Sequence, residues 1–159
     1  PFEGDIKSAI INIHFMDYVE KTGNAITGPV YIRFSSLEDR MEGRPQNIRI
    51  MQNVLMPCGG GGRVSFGGCM MASCYHVGEI ETIPETYDRF ISWVRRHGYT
   101  PGTACYERYV TDYWTTSNSD YHVTELLVKV SRDGMEKHPE AHGAGAESRH
   151  GRGRSQDLL

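Results

Sequence analysis

One order of elements occurs twice in this 159-residue chain: helix, glycine, glycine, aromatic strand, polar loop, strand. Gly23 and Gly28 precede Tyr31-Ile32-Arg33-Phe34. Gly98 and Gly102 precede Tyr106-Glu107-Arg108-Tyr109. Before the first set, Ile6, Ala9, Ile10, Ile13 and Met16 make one apolar stripe, which predicts a helix across Asp5–Lys21. Before the second, Ile83, Tyr87, Phe90, Ile91 and Val94 do the same. There Thr82-Ile83-Pro84-Glu85 reads as a capping box with proline in the first turn. Polar loops over residues 35–47 and 115–120 lead to strands Ile48–Met56 and Val123–Val130. Only the second set has a leading strand, Cys69–Val77. The pattern predicts a duplicated βαββ unit whose first strand is missing upstream of Pro1. Such units bury their helix on one face of the sheet, so the expected class is α+β in two layers. The two units then lie side by side, and the pseudo-twofold seam between them is the natural ligand cleft.

Composition sets the boundary of the domain. Residues 134–159 hold no Phe, Tyr or Trp, five glycines, and four basic against four acidic residues. Such a segment buries too little surface to offset its ordering entropy. The expected division is a ligand-binding domain over 1–133 and a flexible tail over 134–159. His138 and His142 are spaced as helix-borne metal ligands, but Pro139, Gly143 and Gly145 argue against a helix there. Gly59–Gly62 reads as a connector, because no Lys-Ser/Thr pair follows it as in a phosphate loop.

Other classes are excluded by charge and spacing. The balance of 17 basic against 20 acidic residues gives no electrostatic footprint for nucleic acid. No apolar run reaches the length of a membrane span. The four cysteines, Cys58, Cys69, Cys74 and Cys105, do not form paired knuckles and read as reduced thiols, with the cytoplasm as the expected location. No metal and no cofactor is expected.

Alternate residues of a strand share a face. Cys105, Glu107 and Tyr109 therefore point one way, and Ala104, Tyr106 and Arg108 the other. A carboxylate between Cys and Tyr suits a dry cleft that holds an organic cation. The plainer expectation is that Glu107 pairs with a nearby arginine such as Arg33. Tyr31 has two placements. Counted from Gly28 and Gly102 it matches Cys105 and shares the Glu107 face; counted from the Tyr-x-Arg similarity it matches Tyr106 and points away. Tyr87 and Trp93 lie on the second helix, where an aromatic stripe is ordinarily core. Tyr113 and Trp114 occupy a loop as a lid, a partner contact or plain packing, and His76 reads as a packed strand-end histidine.

Four stretches in order resemble the gyrase-inhibitor-like small-molecule-binding domain, which also forms the effector-binding part of AraC- and MerR-type transcription regulators. They are Ala72-Ser73-Cys74-Tyr75-His76-Val77-Gly78, Tyr87-x-x-Phe90-x-x-Trp93 with Gly98, Glu107 to Asp112, and Thr124-Glu125-Leu126. Val128-Lys129-Val130 lacks the proline usual in the closing strand, and the first half matches only through Gly28-Pro29-Val30-Tyr31. The resemblance implies capture of a small aromatic, cationic molecule at Glu107, with Tyr109, Tyr31, Tyr87 and Trp93 around it. It implies an effector-sensing domain of a bacterial regulator, as a homodimer, touching DNA only through a separate domain. It also leaves open a stand-alone drug- or toxin-sequestering protein, or a hydrolase of strained cyclopropane-type genotoxins that uses Glu107. No other catalytic set is present, so a binding role is favoured over an enzyme.

Overall fold

The computed structural model describes residues 5–11, 13–56, 64–132 and 156–158. The helix expected over Asp5–Lys21 is two pieces, α1 (Ile6–Ile10) and α2 (Ile13–Lys21). Asp5 caps α1 by accepting from the Ser8 amide at 2.7 Å. The first piece ends at Ile10 with Ile11 as its cap, where consecutive β-branched residues hold a helix poorly.

The chain continues through β1 (Ile26–Phe34), α3 (Leu37–Met41), β2 (Arg49–Val54), β3 (Val64–Phe66) and β4 (Met71–Val77). Then follow α4 (Ile83–Arg96), β5 (Tyr99–Thr111), β6 (Val123–Arg132) and β7 (Gln156–Leu158). The polar stretch expected to be a loop thus contains α3. Ser36 starts that helix by accepting from the Asp39 amide at 3.0 Å. The expected capping box at α4 does not form. The Thr82 hydroxyl donates to the Glu79 carbonyl at 2.8 Å instead, because residues 80–82 are already wound in a 3-10 turn.

All strands pair antiparallel in the order β3-β7-β2-β1-β5-β6-β4. The fold is α+β, as its pattern requires. β1 and β5 meet at the centre, with Ile32 directly opposite Glu107. Those two residues are as far apart in sequence as Gly23 and Gly98. Among the described residues the βαββ order is complete in the second half, β4-α4-β5-β6. Beside β2, where a matching strand of the first half would lie, stands β7, with Leu158 opposite Asn53. The rest of the expected tail, His138 and His142, the Gly59–Gly62 connector and Cys58 lie outside the described residues.

The helices cover one sheet face. The core there joins Ile32 and Phe34 of β1, Cys105 and Tyr109 of β5, and Leu126 and Val128 of β6 to Ile83, Tyr87, Ile91 and Val94 of α4. The other face carries a smaller cluster of Tyr31, Met51, Phe66, Tyr106 and Leu127. His76 is buried at the end of β4, bonded to the Thr86 hydroxyl and the Glu79 carbonyl, both at 2.9 Å. That is the packed role read from the sequence.

Candidate functional site

Among the described residues, one carboxylate lies inside the core. Glu107 is 0% exposed. Strand parity aims it at the helix layer with Cys105 and Tyr109, as expected. An isolated charge at such a depth is strongly unfavourable, so it must be compensated. Arg40 of α3 supplies the compensation: its Nε donates to Oε1 at 2.7 Å and its Nη2 to Oε2 at 3.4 Å. The Tyr109 hydroxyl donates to Oε2 at 2.5 Å. Arg40 is itself only 3% exposed, reaches the Ile80 carbonyl at 3.5 Å, and lies over the Phe34 ring at 5.2 Å. Burial works against its charge, but Glu107 beside it overrides this and holds the guanidinium above its ordinary pKa. The arginine expected at Glu107 was Arg33; the structure supplies Arg40.

Two more groups close the cluster. Tyr87 of α4 is 0% exposed, and its hydroxyl faces the Cys105 thiol, a weak neighbour that falls short of ordinary hydrogen-bond geometry among the described residues. Burial first, then the charge of Glu107, pushes both the Tyr87 and the Tyr109 phenol well above the usual value. Burial pushes the Cys105 thiol up to about 12. Above the ordinary thiol value of 9.0 the unfolded chain loses this proton and the folded chain keeps it, so stability falls as pH rises towards about 12. The slope from this one group reaches about 1.4 kcal/mol per pH unit. Cys105→Ala should flatten the alkaline arm of a stability–pH curve measured by urea unfolding; an unchanged slope would contradict the burial.

Two cavities flank the cluster. The first, about 460 Å³, runs over β1, β2 and the end of β5, with Ile10, Met16, Val30, Gln52, Tyr109 and Trp114 in its wall. The second, about 560 Å³, opens between α1, α3 and the start of α4, lined by Ile6, Arg40, Pro45, Ile48, Ile80 and Pro84. Lys7 and Glu81, paired at 2.7 Å, stand at the second cavity. Tyr109 thus meets one cavity and Arg40 the other, and Glu107 lies behind both.

Three expected residues, Glu107, Tyr109 and Tyr87, come together, and two do not. Tyr31 pairs with Arg108 and lies on the opposite sheet face, against Phe66, so it is no part of this cluster. Trp93 is 48% exposed and stacks on His97. Six residues along a helix is about 120° around it from Tyr87, which turns Trp93 away from the sheet. Tyr113 packs edge-on against His122, and exposed Trp114 reaches over the first cavity. Sequence reasoning missed Arg40. Among the described residues, no three or more His, Cys, Asp or Glu side chains gather as a metal site, and no helix is long and apolar enough to cross a membrane.

A family model described as the GyrI-like small molecule binding domain matches residues 15–131, well over half of the chain. No curated protein matches the sequence. Among solved structures, a chain of the cryo-EM structure of the EcmrR-DNA complex in EcmrR-RPo is similar, with a TM-score of 0.59 and 18% identity. The match covers 80% of this chain and 50% of that chain, so this chain matches half the length of its structural neighbour. At that identity the likeness is one of fold.

Proposed function

Because the chain belongs to the GyrI-like small-molecule-binding family, we propose that it is an effector-sensing module that captures an aromatic organic cation at Glu107. The observation that carries this is the carboxylate itself, fully buried beside Tyr109, Tyr87 and Cys105 and held there by a cation, the Arg40 guanidinium. In low dielectric such a group attracts a cation far more strongly than it would in water, and flanking rings add to the attraction. Tyr87 supports the reading, since a buried hydroxyl with only a thiol beside it has room to bond a ligand's polar atom.

The same reading makes residues 1–133 the ligand-binding part of a cytoplasmic, homodimeric transcription regulator. DNA would be engaged by a segment outside these residues. The similar EcmrR chain belongs to a complex with DNA, and half of that chain is unmatched here.

Glu107→Gln removes the charge and keeps the shape. It should weaken binding of an aromatic cation by about 1–3 kcal/mol, the scale of a lost charge-assisted contact. A neutral analogue of the same outline should bind as before, and calorimetric titration of both ligands is the check. Equal losses would mean that Glu107 only shapes the cleft. If the substitution stopped turnover of a strained-ring electrophile and left its binding intact, a hydrolase would replace the sensor. Tyr87→Phe should stabilise the empty protein slightly while weakening a ligand that bonds the hydroxyl.

A further inference from the structure

The charge that a ligand would seek is already taken. Arg40 holds both oxygens of Glu107 and lines the second cavity, whereas Glu107 is absent from its wall. The guanidinium therefore stands between that cavity and the carboxylate. Its surroundings are those of a bound organic cation: two contacts to one carboxylate, a carbonyl acceptor on Ile80, and the face of Phe34. The site with Arg40 in place is electroneutral, so an entering cation gains nothing from Glu107 until the guanidinium leaves.

We infer that Arg40 is the specificity-determining residue of the cleft, a built-in counter-cation whose place the ligand's cation takes. This rests on the reading of Glu107 as the ligand's charge partner. It narrows the ligand class to planar cations with a delocalised charge and two N–H donors, of the amidinium or guanidinium type. Only these reproduce a forked contact with a carboxylate while lying flat on a ring. A quaternary ammonium has the charge but neither donor.

The arginine has somewhere to go. It sits on a helix of five residues in the connection between β1 and β2, and Glu81 offers an exposed carboxylate at the same cavity. Glu81 already feels Arg40: its pKa is lowered first by Lys7 and in smaller part by the Arg40 charge. A displaced guanidinium thus exchanges a buried carboxylate for an exposed one and regains its water.

The probe is benzamidine, an aromatic amidinium, with benzamide as its neutral counterpart. Arg40→Met keeps the length of the side chain and vacates the carboxylate. It should raise benzamidine affinity at least tenfold and leave benzamide unchanged. Arg40→Met with Glu107→Gln should lose that gain. This neutral pair also guards against misfolding, since it leaves no buried charge alone. Arg40→Lys, which keeps a charge but not the fork, should give a gain of several-fold. If Arg40→Met weakens benzamidine, or leaves it unchanged, while Glu107→Gln still abolishes the preference for the charged probe, Arg40 is part of the binding surface and the exchange is wrong. If Glu107→Gln leaves the preference for benzamidine over benzamide intact, the reading of Glu107 fails first, and the exchange with it.

Discussion

Replacing Arg40 with alanine should lower the unfolding free energy by about 3–5 kcal/mol, because it leaves Glu107 charged and alone in the core. Nothing else within the cluster can take over: Tyr109 brings a neutral hydroxyl, and Tyr87 reaches only the Cys105 thiol. The pair itself is a different matter. Its attraction is offset by the desolvation of two ions, so replacing both partners with apolar residues of similar volume is close to neutral or stabilising. Arg40→Met with Glu107→Leu should therefore recover most of the loss that Arg40→Ala causes. Denaturant unfolding of the single and double variants measures both. A single variant within 1 kcal/mol of the parent, by the same order-of-magnitude scale, would mean that water already compensates the carboxylate.

Phe34→Ala should cost a similar amount, about 3–5 kcal/mol, by a different mechanism. The ring is 0% exposed, lies opposite Cys105 at the centre of the sheet, and carries the Arg40 guanidinium on its face. Alanine leaves a cavity that a sheet centre cannot collapse to fill. Phe34→Leu retains most of the volume and should cost clearly less, about 1 kcal/mol. The difference between the two isolates the packing contribution. Equal costs would point instead to loss of the contact between ring and cation.

The parts legible in the sequence were those set by local period. The apolar stripe of α4 and the alternation Cys105, Glu107, Tyr109 needed only a helix or strand of the right phase, and both are buried as read. Tyr31 shows where that logic fails. The pairing of β1 with β2 shifts between Thr27 and Tyr31, just after Gly28 takes a φ of 71°. The pairing of β5 with β6 shifts between Pro101 and Cys105. Counting from the glycines carries the phase across both irregularities, whereas counting from Tyr-x-Arg to Tyr-x-Arg starts beyond them and gives the observed face. Arg40 was illegible for another reason. It lies in a polar stretch, and the carboxylate that accepts it inside the core is 67 positions along the chain. The expectation that some arginine would answer Glu107 was the one available signal, and it named the wrong residue.

The central strand pair has a last consequence. Residues before Gly59 supply β1, β2 and Arg40, while residues after Gly62 supply β5, Glu107 and Tyr109. The two pieces are thus held at an effective concentration of the order of millimolar by the covalent chain that joins them. Cut there, the protein becomes two chains that must find each other, and the cleft becomes an interface. A ligand that spans the cut would then act as a molecular glue, holding the pieces together by mass action in proportion to its own concentration.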